Sequence, residues 1–112
     1  MIIKSSIPFT SKEISKASEQ FDGYIKTVMD LKKQICVAGM DRHYEGEQIL
    51  LNDGSKQSNL WGGGIDLATK IIDFNSFINI RPNDNNPSSD ILDPRLRLMY
   101  EDLTRYFFKE IL

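Results

Sequence analysis

The strongest constraint on the fold comes from the end of the chain, which has the pattern of an amphipathic helix. One apolar stripe recurs there at helical spacing and comprises Leu96, Met99, Tyr100, Leu103, Phe107 and Ile111. Asp93 and Pro94 precede it, and this pair is typical of a helix start because Asp caps the first turn and Pro loses no hydrogen bond there. The pattern predicts a helix over residues 94–111 that docks against a sheet.

A second helix is predicted near the start of the chain. Thr10 and Glu13 fit the S/T-x-x-E capping box, in which each side chain bonds the backbone N–H of the other residue. Apolar residues follow at helical spacing, and Gly23 is a natural stop. We therefore expect a helix over residues 11–21.

The residues between these helices carry strand signals. Residues 24–30 and 35–39 read as a hairpin that turns at Lys32-Lys33. Residues 60–67 and 71–80 are expected to form a second hairpin through Ala68-Thr69. In the latter segment, strand alternation would place Phe77, Asn79 and Arg81 on one side, opposite Ile78 and Ile80.

Residues 42–53 are ambiguous from sequence alone. Asp41 is a suitable cap for a helix that ends at Gly54, whereas Asn52-Asp53-Gly54 equally suits a hairpin turn. Helix is favoured because Glu45, Glu47, Gln48 and the following leucines suit it, although Gly46 weakens it by about 1 kcal/mol relative to Ala.

The resulting order, αββαββα, predicts a single α+β domain over residues 1–112. It would have a mainly antiparallel sheet of about four strands, with three helices packed on one face. The other face of the sheet would then have to be covered by a partner or consist of polar side chains. We therefore expect self-association.

Composition and charge exclude some classes of function. The chain has 112 residues, with 14 Lys+Arg against 16 Asp+Glu and a formal charge of −2. This balance excludes a strongly basic nucleic-acid binder and a disordered tail, so nucleic acid is not expected as a partner. The single cysteine, Cys36, forms no internal disulfide, which favours a reducing compartment. No secretory signal or membrane-spanning run is visible, and we expect a cytoplasmic protein.

Four features invite a chemical interpretation, and each has a simpler alternative. Gly62-Gly63-Gly64 fits neither the dinucleotide fingerprint nor the Walker pattern, so a strand that bends or bulges is favoured. His43 with nearby acids would suit an oxygen-ligated ion, but a solvated acidic helix start is favoured. Cys36 is expected to be a buried thiol rather than a nucleophile. Asp30 is expected to be a turn residue rather than a general base. We expect no bound metal and no cofactor.

The most informative constellation combines a polar run, the only tryptophan and a later Asn-x-Arg. It comprises Lys56, Gln57, Trp61, Asn79 and Arg81. If the second hairpin forms, these residues assemble an aromatic surface, a guanidinium and amide donors, which suits a small anionic or planar ligand. In the alternative interpretation Trp61 belongs to the core, Arg81 pairs with Asp73 or Asp84, and Asn79 ties down the loop.

These residues also carry a family resemblance. The stretch Gly-Ser-Lys-Gln-Ser-Asn-Leu-Trp-Gly over residues 54–62 and Ile-Asn-Ile-Arg-Pro over residues 78–82 resemble DUF5674, a family of short prokaryotic proteins of unknown function. Asn86, Ser88 and Asp93-Pro94 fit the ending of the family pattern. The resemblance covers most of the chain and implies no reaction, but it makes the constellation above the first place to examine.

Three functions are compatible with these features. The first is a binding or interaction module in which Trp61 and Arg81 anchor a small anionic ligand or a protein partner. The second is a small hydrolase or transferase acting on a phosphorylated substrate, with Lys56 and Arg81 as phosphate ligands and Asp30 or His43 as base; a non-enzymatic role is favoured over it. The third, ranked last, is an RNA-binding domain using exposed aromatics.

Overall fold

The structure, a computed structural model, describes residues 1–112 and contains a five-stranded sheet and three α-helices. The strands are β1 (Ile3–Ser5), β2 (Tyr24–Asp30), β3 (Ile35–Ala38), β4 (Leu60–Asp66) and β5 (Ile72–Asp73). The helices are α1 (Ser11–Ala17), α2 (His43–Asn52) and α3 (Pro94–Phe107). The strand order is β1-β3-β2-β4-β5 and every neighbouring pair is antiparallel. The α+β class is confirmed.

The helix predictions are confirmed with shorter ends. The capping box of Thr10 and Glu13 is present at α1, and Asp93 caps α3 by accepting from the N–H of Arg95. The ambiguous segment 42–53 forms helix α2, although it begins after Arg42 rather than after Asp41. No helix has the length and apolar character required to cross a membrane.

Two parts of the sheet differ from the prediction. Strand β1 was not expected; it is three residues long and pairs with β3 from Ile3 to Ser5. The predicted strand 71–80 is wrong beyond Asp73, because Phe77–Asn79 forms a turn of 3₁₀-helix. The Ser76 side chain caps this turn by accepting from the N–H of Ile78, a local bond that competes with strand pairing.

The helices cover both faces of the sheet, so the expectation of a single covered face is wrong. On the first face, a core cluster of the sheet with α1 and α3 includes Ile25, Met29, Ile65, Tyr100 and Phe107. On the second face, a smaller cluster with α2 comprises Val28, Val37, Met40, Leu50 and Leu60. Helix α2 therefore supplies much of the missing cover, and self-association stays a prediction.

The glycines of β4 allow close packing and introduce no bulge. Strands β2 and β4 pair without interruption from Tyr24↔Asp66 to Asp30↔Leu60. A Cβ atom at Gly63 would lie 2.3 Å from the Asp73 carbonyl oxygen and 2.9 Å from the Tyr100 ring. The absence of a side chain thus lets the fully buried Tyr100 cross the strand.

We predict that Gly63→Ala destabilises the fold by about 1–3 kcal/mol, because the added methyl group overpacks a site bounded by backbone. Thermal unfolding should show a melting temperature lowered by several degrees. The exposed Ser58 lies just before β4, and Ser58→Ala should leave the melting temperature unchanged. An unchanged melting temperature for Gly63→Ala would contradict this packing.

Candidate functional site

The structure brings three of the five predicted site residues together, namely Trp61, Asn79 and Arg81. Trp61 is 4% exposed, and the guanidinium of Arg81 stacks on it with its central carbon 3.9 Å from the ring centroid. Arg81 also donates to the backbone oxygen of Gln57, and its Nε lies 3.9 Å from an Asp84 carboxylate oxygen. This arrangement matches the alternative in which Trp61 is core and Arg81 pairs with a nearby acid.

Asn79 is fully buried and its amide is saturated by backbone groups. Its Oδ1 accepts from the N–H of Gly62 at 2.9 Å. Its two Nδ2–H groups face the carbonyl oxygens of Gly62, Phe74 and Ser89 at 2.9–3.0 Å, so one N–H is shared between two of them. Asn79 therefore ties the segment after β5 onto β4, as in the alternative interpretation.

The other two predicted residues lie outside this arrangement. Lys56 and Gln57 have exposed side chains, and only the backbone carbonyl of Gln57 contacts Arg81. The role of the five residues in ligand binding stays a prediction.

Asp30 and Cys36 are structural. Asp30 accepts from the N–H groups of Lys32 and Lys33 and from the Ser55 hydroxyl, so it organises the turn between β2 and β3. Cys36 is fully buried, and burial raises the pKa of its thiol well above the ordinary value. Neither side chain is available as a base or nucleophile.

The open concave surface lies elsewhere, on the second face of the sheet beside α2. It consists of two adjoining cavities of about 290 and 410 Å³ that share Lys26, His43 and Phe77. We call this surface the α2 cleft. The smaller cavity is further lined by Tyr24, Asn75, Ser76 and Ser89, and the larger one by Arg42, Tyr44 and Ile78.

Two glycines of β4 make room for the residues of the α2 cleft. A Cβ atom at Gly62 would lie 2.7 Å from the Ser76 hydroxyl oxygen and 3.0 Å from the His43 ring. A Cβ atom at Gly64 would lie 2.1 Å from the Tyr24 hydroxyl oxygen. Three polar side chains can therefore lie directly on the strand, an arrangement that any larger residue there would prevent.

His43 is held in its neutral form within the α2 cleft. Its Nε2 donates to the Gly63 carbonyl oxygen at 2.7 Å, so the neutral ring keeps Nδ1 as an acceptor. Burial lowers the pKa of His43, and the charge of Lys26 acts in the same direction, whereas the bond to Gly63 and the charge of Asp73 oppose them. The His43 ring is a half-buried base at the first residue of α2, whereas Asp41 and Glu45 beside it are exposed, as expected for a solvated acidic helix start.

The α2 cleft is lined by two cationic side chains in a chain with an excess of acids. Lys26 and Arg42 line it, and no Asp or Glu is among its lining residues. Two carboxylates bond to lining residues from outside the cleft: Asp73 accepts from the Tyr24 hydroxyl at 2.5 Å, and Glu45 accepts from the Arg42 backbone N–H at 2.8 Å. Lys26 is positioned by donating to the Asp41 carbonyl oxygen at 2.8 Å. Helix α2 begins at His43, so its positive end also borders the cleft.

Sequence reasoning missed this site because its parts come together only in the fold. The sequence places His43 among nearby acids or as a base for a phosphate held by Lys56 and Arg81, and it gives Lys26 and Ser76 no motif. The available signal was Gly62-Gly63-Gly64, since consecutive glycines in a central strand mark positions where other groups approach the backbone closely.

We predict that Asn79→Asp lowers the free energy of unfolding by roughly 3 kcal/mol at pH 7, because a buried carboxylate would face three carbonyl oxygens. This environment raises the folded-state pKa of the new carboxyl group. Stability should therefore recover in part as the pH falls towards 4 and be lost again as it rises.

Urea denaturation at pH 7 and pH 5 measures this effect. Asn83→Asp in the exposed loop is the matched control and should change stability little at either pH. Equal effects of the two substitutions would show that the Asn79 amide does not hold the loop.

The lowered pKa of His43 predicts a second pH effect. Between the folded-state pKa and the ordinary value of about 6.5, the unfolded chain binds the proton more readily, so stability rises with pH there. This contribution is complete above about pH 6.5 and is lost as the pH falls through the folded-state pKa. Melting temperatures from pH 8 to 5 should fall less steeply for His43→Gln than for the unsubstituted protein; parallel curves would contradict the assignment.

Comparisons with known proteins give one match. The model of the DUF5674 family, described as proteins of unknown function, matches residues 1–107. No curated protein and no solved structure matches the chain. Because the family model spans nearly all of the 112 residues, the chain belongs to the DUF5674 family.

Proposed function

We propose that this protein is a binding module that takes a small anionic ligand in the α2 cleft. The observation that carries the proposal is the charge of the lining, where Lys26 and Arg42 occur without any carboxylate. In a chain with 16 Asp+Glu, a concave surface free of acids favours a negative ligand.

The shape and chemistry of the cleft support the same function. Its cavities, about 290 and 410 Å³, are of the size that holds a small organic molecule. The hydroxyls of Ser76 and Ser89 and the amide of Asn75 add hydrogen-bonding groups beside Lys26. Such groups orient an anion, while the lysine supplies charge-assisted hydrogen bonds.

A second candidate, a hydrolase or transferase acting on a phosphorylated substrate, is supported by His43 alone. Its neutral imidazole is a suitable general base inside the α2 cleft. In this candidate His43→Gln would retain ligand binding and lose turnover of a phosphate ester. A pure binding module would show no turnover in either protein.

We predict that Lys26→Met weakens binding of inorganic phosphate or ribose 5-phosphate by about tenfold or more, because a charge-assisted hydrogen bond is lost. Methionine retains most of the aliphatic stem but not the ammonium, which lies 5.0 Å from the centroid of the Phe21 ring. Isothermal titration calorimetry at low salt measures the dissociation constants.

Lys12→Met is the matched control, since Lys12 is an exposed lysine on α1 and does not line the α2 cleft. It should bind like the unsubstituted protein. Equal losses in both variants would indicate non-specific charge attraction and would contradict the proposed site.

A further inference from the structure

We infer that the ligand of the α2 cleft is a nucleoside monophosphate, with its base against Phe77 and Tyr44 and its phosphate beside Lys26 and Ser76. This inference rests on the proposed function and specifies the ligand class. The observation behind it is the pair of exposed aromatic side chains at the cleft, because an inorganic anion has no planar group to stack on them.

Phe77 presents an unusually accessible aromatic ring at the junction of the two cavities. It is 88% exposed, the highest value among the large apolar side chains of the protein. Tyr44, 60% exposed, and Ile78 line the same larger cavity. One exposed apolar residue needs no explanation, but two aromatic rings beside one cavity form a surface suited to a planar group.

The backbone beneath Phe77 is held in place without its side chain. The Phe77 carbonyl accepts from the N–H of Ile80, and the Ser76 side chain caps the turn. The last residue of the turn, Asn79, is anchored to β4 through Gly62. The ring is therefore displayed on a fixed support, which limits the entropy lost when a base stacks on it.

The two cavities differ in the way that the two ends of a nucleotide differ. Three of the six residues lining the larger cavity are hydrophobic, against two of the seven lining the smaller one. The smaller cavity adds the polar groups of Asn75, Ser76 and Ser89. The base fits the larger cavity and the phosphate the smaller one, with Lys26 at the boundary that the two cavities share.

The charge distribution favours a single nucleotide over a nucleic-acid strand. Proteins that bind single strands use a positively charged groove that follows several successive phosphates. Here the cleft contributes two cationic side chains, Lys26 and Arg42, in a chain of net charge −2. Only Lys26 of the two lines the smaller cavity assigned to the phosphate, and one cation there suits one phosphate group.

The test compares ligands that share the phosphate and differ in the base. Calorimetric titrations would use ribose 5-phosphate, adenosine 5′-monophosphate, uridine 5′-monophosphate and a single-stranded RNA of eight nucleotides. We expect at least one monophosphate to bind about 5- to 150-fold more tightly than ribose 5-phosphate, the range measured for stacking of one base.

Phe77→Ala should abolish this gain, so that the monophosphate and ribose 5-phosphate bind the variant with equal affinity. Ile71→Ala is the matched control, because Ile71 is 62% exposed and lies outside the cleft lining; it should change neither affinity. Melting curves check that both variants are folded, as expected for exposed side chains.

Three results would overturn the inference, and they separate it from the proposed function. Equal affinities for ribose 5-phosphate and the monophosphates would support anion binding in the α2 cleft. They would show that the protein does not recognise the nucleotide base. No binding of any ligand would remove both proposals. If the RNA bound more than tenfold more tightly than either monophosphate, the ligand would be a nucleic-acid strand and not a single nucleotide.

Discussion

The arrangement of the second half of the protein depends on the side chain of Asn79. Strand β5 pairs with β4 only at Gly64 and Ile65, which leaves the backbone of Gly62 without a strand neighbour on that side. The Asn79 amide supplies both missing partners, since it accepts from the Gly62 N–H and donates to the Gly62 carbonyl. One side chain thus takes the place of a continued strand and fixes Phe77 beside the sheet.

The glycines of β4 complement this interaction, because they let other groups come close to the strand. Gly63 admits the ring of Tyr100 on the first face, where the tyrosine hydroxyl donates to the Thr27 carbonyl. Gly62 admits His43 on the second face. A strand of larger residues would form the same backbone hydrogen bonds. Its side chains would clash with Tyr100 of α3 on the first face and with His43 in the α2 cleft on the second.

The elements with a strong local pattern were predictable, whereas the site was not. Helix α3 and the β2–β3 hairpin follow from periodicity and caps within one segment. The contact of Trp61 with Arg81 was anticipated, but through a strand that is in fact a 3₁₀ turn, because the Ser76 cap and the Asn79 bonds override the β-rich composition. His43 approaches Gly63 across twenty residues of sequence, and no local pattern reports such a contact.

We propose the α2 cleft, rather than the Trp61–Arg81 stack, as the place where the ligand binds. Nuclear magnetic resonance of the isotope-labelled protein, titrated with ribose 5-phosphate, tests it most directly. We predict saturable shifts of the Lys26 and Phe77 amides and of the His43 ring, while the Trp61 indole and Arg81 Nε signals stay in place. Saturable shifts confined to Trp61 and Arg81 would contradict the claim and would place the ligand at the site suggested by the sequence.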